Sequence, residues 1–148
     1  MTNKYLTEVE QKLDLYFGKK APAMPKNIKE AIVKYGPYIS LFILVMSLPA
    51  ILLAFGLTSL VAPFAYFGGI RSGFRFSFVS LFSLATIVLE LIALPGLFKR
   101  SKKGWEYSFY ASLVSLLGSL VTLNLSSLVI GGAISFYVLF QIKSYYKN

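Results

Sequence analysis

Long apolar stretches, separated by clusters of lysine and arginine, limit the folds open to this chain more than any other feature. Four of them, at 38–57, 76–98, 107–123 and 126–142, can each cross a hydrocarbon core, which takes about 20 residues of helix with a range near 17 to 25. The chain has 148 residues, and 56% of them are hydrophobic. A water-soluble domain of that length has no core large enough to hide four such stretches. The expected fold is an all-α integral membrane protein. It comprises a four-transmembrane-helix bundle over 37–148, amphipathic cytoplasmic helices within 1–36, and an outside interfacial or re-entrant segment between the first two spans.

The basic residues orient that bundle. Lys4, Lys12, Lys19, Lys20, Lys26, Lys29 and Lys34 precede the first span, Lys99, Arg100, Lys102 and Lys103 separate the second and third, and Lys143 and Lys147 follow the fourth. With four crossings all of these share one side, and only Arg71 and Arg75 fall on the other. Positive residues are retained on the cytoplasmic face, so both termini are expected inside, in a plasma or inner membrane. The net charge of +9 then reflects topology and attraction to anionic headgroups, with Lys99, Arg100, Lys102, Lys103 and Trp105 at the headgroup level. No DNA- or RNA-reading motif accompanies the charge, so nucleic acid is not an expected partner.

In the N-terminal region, Leu6, Val9, Leu13, Tyr16 and Phe17 recur at helical spacing, predicting an amphipathic helix over 3–17 that Gly18 ends. Pro22 and Pro25 interrupt the link that follows. Asn27 and Glu30 have the spacing of a capping box, which predicts a second short helix leading to Gly36-Pro37 and the first span. These helices suit a membrane surface, a partner protein or the underside of their own bundle. Pro49 is expected to kink the first span. Pro63 and Gly68-Gly69 break the stretch 58–73, which reads as interfacial or re-entrant, with a fifth crossing as the alternative.

Two features in the spans stand out. Ser108, Ser112, Ser115, Ser119 and Thr122 alternate steps of four and three, a seam of small hydroxyl residues that lets helices approach closely. Gly131 and Ser135 repeat the small-residue logic on the fourth span. The second feature is Glu90, a lone acid inside the second span with Thr86 and Ser83 on its face and Arg75 further along. A carboxylate at mid-membrane costs about 2.5–3.5 kcal/mol on insertion scales, so Glu90 is expected to face the bundle, find a partner or bind a proton.

The chain has no cysteine and no histidine, which removes thiol nucleophiles, thiolate metal sites and the commonest neutral metal ligand. Neither a cofactor nor a metal is expected. An enzyme would need a nucleophile or an acid pair, and Glu90 has no second carboxylate in the spans. Two functions remain. One is an association protein, acting as subunit, scaffold or accessory factor through contact with itself or another membrane protein. The other is a small oligomeric transporter or channel in which Glu90, with Thr86, Ser83 and Arg75, couples to a proton or cation.

Overall fold

The computed structural model describes the backbone of residues 4–65, 67 and 69–147, and the side chains of these residues other than 47, 48, 50–55, 57–63, 65, 71, 72 and 74–76. Every regular element among them is helical. Helix α1 (Lys4–Leu13) runs into a π-helical segment, Asp14–Lys20. It is followed by α2 (Lys26–Ala65), α3 (Ile70–Phe98) and α4 (Lys102–Val121). A π turn, Ser127–Gly131, leads into α5 (Gly132–Ile142), and a 3-10 turn, Lys143–Tyr145, closes the chain.

Three expected boundaries move. Gly18 does not end the first helix: helical turns continue to Lys20, and a Cβ at Gly18 would lie 2.7 Å from Asp14 Oδ1. Asn27 is not a cap, because the Pro25 carbonyl accepts from the Ile28 and Lys29 amides, each at 3.1 Å, and starts α2 one residue earlier. Gly36-Pro37 does not separate a surface helix from a span. Val33 and Pro37 are both buried, and packing around them carries α2 through the hydrogen bond that proline removes. At 40 residues α2 is about 60 Å long, roughly twice a hydrocarbon core. The stretch 58–73 is also redistributed, with 58–65 completing α2 and 70–73 opening α3. No re-entrant segment or additional helix lies between them among the described residues.

Two helix-to-helix turns share one construction. At the end of α3 the Ser101 amide donates to the Gly96 carbonyl at 2.8 Å and the Arg100 amide to the Leu97 carbonyl at 3.1 Å, with Arg100 at φ 51°. At the end of α4 the Asn124 amide donates to the Ser119 carbonyl at 2.9 Å and the Leu123 amide to Leu120 at 3.0 Å, with Leu123 at φ 54°. Both are Schellman motifs, which satisfy the last orphan carbonyls of a helix. In each, the closing residue then caps the next helix. Ser101 Oγ accepts from the Gly104 amide at 3.3 Å, and Asn124 Oδ1 accepts from the Ser127 amide at 3.2 Å. One residue ends a helix and starts its neighbour, so α3, α4 and the α5 stretch fold back as successive hairpins.

The α3–α4 hairpin closes on glycine. A Cβ at Gly96 would lie 2.6 Å from the Gly104 Cα, and a Cβ at Gly104 would strike the Gly96 carbonyl carbon and the Leu97 nitrogen. Further along, Gly118 receives Phe82, and Gly132 on α5 receives Leu116.

The buried core sits at the basic end of the bundle. Trp105 and Phe109 stack at 5.6 Å with planes 4° apart, and Phe140 meets the Trp105 ring edge-on at 5.5 Å. Val33, Phe136, Ile142 and Tyr146 complete the cluster. Tyr38 of α2 meets Phe98 of α3 edge-on at 5.0 Å, so the same ends of α2 to α5 converge there. Burial pushes the Tyr146 phenol above its usual range, and the Arg100 guanidinium opposes this with a smaller effect. Trp105 does not take the headgroup position expected of it. It is 1% exposed, and its indole N–H donates to the Leu139 carbonyl at 2.8 Å, giving the ring both an apolar surround and a polar partner inside the fold.

The N-terminal arm packs onto this core. Gln141, 4% exposed, accepts from the Met24 amide at 3.1 Å and donates to the Phe17 carbonyl at 3.0 Å. The Tyr137 hydroxyl donates to Pro22 at 2.9 Å. Lys143 pairs with Glu10 at 2.9 Å and Asp14 at 3.9 Å while lying over the Trp105 ring.

Two helical stretches among the described residues are long and apolar enough to cross a membrane. They are Ser77–Phe98, 22 residues with mean hydropathy 2.2, and Ser127–Tyr145, 19 residues with mean hydropathy 1.4. Helix α4 is not one of them, because its serines and Glu106 dilute the apolar residues. On α3, Leu81, Leu84, Val88, Leu91 and Ile92 are all exposed, as are Val129, Ile130 and Ile134 near α5. Apolar side chains turned outward in such numbers mark a surface made for a non-aqueous neighbour.

Candidate functional site

Glu90 projects from α3 into an open groove of about 480 Å³ between α3, α4 and the α5 stretch. Thr86 shares its wall on α3. Ser112, Ser115 and Ser119 line the α4 side, and Gly131 and Ser135 the α5 side. The acid, the hydroxyl seam and the small-residue face, read from three separate stretches of sequence, therefore meet in one place. The α3–α4 hairpin positions them: Gly96 against Gly104 and Phe82 against Gly118 bring the two helices close and set the serines beside Glu90.

A second cavity of about 560 Å³ adjoins the first and shares Thr86, Ser115 and Ser119 with it. Ser83, Thr122 and Asn124 line its far part. Polar side chains thus run along the α3–α4 seam from the Asn124 turn to Glu90. The Arg75 side chain lies outside the described residues. Ser108 lines neither cavity and sits one turn below the groove on α4.

The hydroxyls are mostly satisfied within their own helices. Thr86 donates to the Phe82 carbonyl at 2.9 Å, Ser108 to Gly104 at 3.1 Å, Ser112 to Ser108 at 3.0 Å and Ser119 to Ser115 at 3.1 Å. Such back-bonding explains how polar side chains lie in an apolar helix at low cost. Among the described residues the seam makes no hydrogen bond between helices, and Ser115 is exposed. The Glu90 carboxyl differs, making no ion pair or hydrogen bond among the described residues. It is the one ionisable group among the described groove residues.

Of the basic residues expected at the headgroup level, Lys99, Arg100, Lys102 and Lys103 are exposed around the α3–α4 turn, whereas Trp105 is buried. Lys102 lies 3.7 Å from Glu106, one turn on. Among the described residues, no group of three acids could hold a metal ion. Sequence reading passed over Gln141 and the Gly96–Gly104 pair. The glycines flank a basic turn at a spacing that could have pointed to close helix contact; a lone glutamine at a span end carries no such sign. No family model, curated protein or solved structure matches the chain.

Proposed function

We propose that the chain is a four-span membrane protein that acts by helix association, its α3–α5 groove receiving a transmembrane helix from a second copy or another membrane protein. The observation that carries this reading is the groove itself. It combines small residues, which admit a close helix backbone, with a carboxyl that has no hydrogen-bond or ion-pair partner among the described residues. In hydrocarbon an uncovered carboxyl is costly, and a helix presenting small residues and one hydrogen-bond donor would cover it. The function that follows is that of a subunit, scaffold or accessory factor, with no catalytic step.

One observation favours a second reading. The polar seam reaching Glu90 from Asn124 through Ser83 and Thr86 is what a proton or cation path would need. Glu90→Gln separates the two. It keeps the shape and a donor and acceptor, so an association role predicts unchanged co-purification in mild detergent and no flux from wild-type proteoliposomes. Wild-type flux that the substitution abolishes, with the fold intact, would replace association by transport.

A further inference from the structure

At the basic end of the bundle, away from the Glu90 groove, a second kind of cavity opens. It has a volume of about 550 Å³ and lies between the N-terminal arm, the starts of α2 and α4, and the C-terminal turn. Lys19, Lys29, Lys102, Lys143 and Lys147 line it, and Asp14 is its one acid. These lysines come from four separate stretches of chain, so the fold assembles them. Their mutual repulsion opposes that assembly, and a resident anion would relieve it.

The neighbouring acids leave much of this charge uncompensated. Lys143 is held by Glu10 and Asp14, and Lys102 reaches Glu106. Lys19, Lys29 and Lys147 make no ion pair among the described residues. Part of the remaining wall is apolar, formed by Trp105 and Phe140, and the Ser144 side of the cavity adds a hydroxyl residue. The buried Gln141, also in the lining, ties the arm to α5 through Met24 and Phe17.

We infer that this cavity binds the phosphomonoester headgroup of an anionic lipid, with Lys19, Lys29 and Lys147 as its main cationic ligands. The chemistry required is a compact group of at least two negative charges, which ammonium groups contact as point charges. A lipid is the source of that phosphate because the cavity lies at the end where Lys99, Arg100 and Lys103 are also exposed, next to helices with apolar exteriors. Basic pockets between membrane helices are a recognised setting for such headgroups. The site is independent of whatever occupies the Glu90 groove.

Trp105 is the sole tryptophan of the chain and forms part of the wall, so its emission reports occupancy directly. The full chain in neutral detergent would be titrated with short-chain phosphatidate, phosphatidylglycerol, phosphatidylcholine and inorganic phosphate. The expected result is a saturable change with phosphatidate at lower concentration than with any of the others. Lys29→Gln combined with Lys147→Gln should weaken it about tenfold or more, since hydrogen bonds to charged groups are each worth a factor of that order. Lys29→Arg with Lys147→Arg should retain binding and shows that the variants fold. Lys4→Gln with Lys12→Gln makes the same charge change at exposed positions outside the cavity and should leave binding unaltered. Equal weakening by that control pair, or an equal response to phosphatidylglycerol, would overturn the site in favour of diffuse attraction. Saturation by inorganic phosphate at the same concentration would overturn the lipid as its source.

Discussion

Arg100 and Leu123 are the described non-glycine residues with positive φ, and each closes a Schellman motif in a position that glycine usually fills. The left-handed conformation costs an L-residue roughly 1–2 kcal/mol through contact of Cβ with the following carbonyl. Arg100→Gly and Leu123→Gly should therefore each stabilise the protein by about 1 kcal/mol, after the greater freedom of glycine in the unfolded chain is set against the relief. Thermal unfolding in detergent reads this as a higher midpoint, and a lower midpoint for both would show that the turns are not strained. Gly104→Ala has the opposite sign. Its methyl group would meet backbone atoms of Gly96 and Leu97, which cannot swing aside as a side-chain end can, so α3 and α4 must separate. Overpacking typically costs about 1–3 kcal/mol. Gln141→Leu should free the N-terminal arm, because the Phe17 carbonyl and Met24 amide lose their partner and buried unsatisfied groups cost about 1–3 kcal/mol each. Trypsin should then cleave at Lys19 and Lys20 faster than in the wild type, and an unchanged cleavage rate would count against the clamp.

At the scale of elements, the sequence shows the apolar stretches, the basic turn at Lys99–Lys103 and the seam of serines, because each rests on local periodicity. What it does not show depends on contacts between distant residues. Gly36-Pro37 looks like a boundary from local rules, yet the burial of Val33 and Pro37 carries α2 across it. Trp105 looks like an interface residue, yet Leu139, from another helix, supplies the partner for its N–H and the core takes its ring. The serine seam was legible as a line of small residues, but not the hydroxyls' bonding to their own backbone or the open space in front of Ser115. That space supports a discriminating test of association. Ser115→Leu places a bulky side chain in the groove and should weaken the proposed helix contact while leaving the chain's own α3–α4 packing intact. Leu117→Phe, at an exposed position outside the groove, should do neither. Cross-linking in native membranes measures the contact and a detergent melting curve measures the fold. Equal cross-linking by both variants and the wild type would remove the groove as the interface.

On the scale of the whole molecule, the arrangement of charge and the arrangement of contacts agree on one polarity. Val33, Tyr38, Phe98, Trp105 and Tyr146 meet at one end, and nearly all the lysines cluster near it. The connection between α2 and α3 and the Asn124 turn lie toward the other end, where Arg71 and Arg75 are the basic residues in sequence. If the proposed membrane orientation follows the positive-inside rule, the end bearing Trp105 faces the cytoplasm. The chain contains no cysteine, so single introduced cysteines report their side without background. Cysteines replacing Lys4 and Lys103, both exposed at the lysine-rich end, should resist a membrane-impermeant maleimide in intact cells and react after permeabilisation. A cysteine replacing Phe67, which is 83% exposed between α2 and α3, should react without permeabilisation. Labelling of the Lys103 position in intact cells would overturn the orientation. Protection at Phe67 together with labelling at Lys4 would invert it and move the lysine-lined cavity to the outer leaflet. Reaction at Lys4 and Phe67 with protection at Lys103 would require an odd number of crossings before α4, contrary to the four-span bundle.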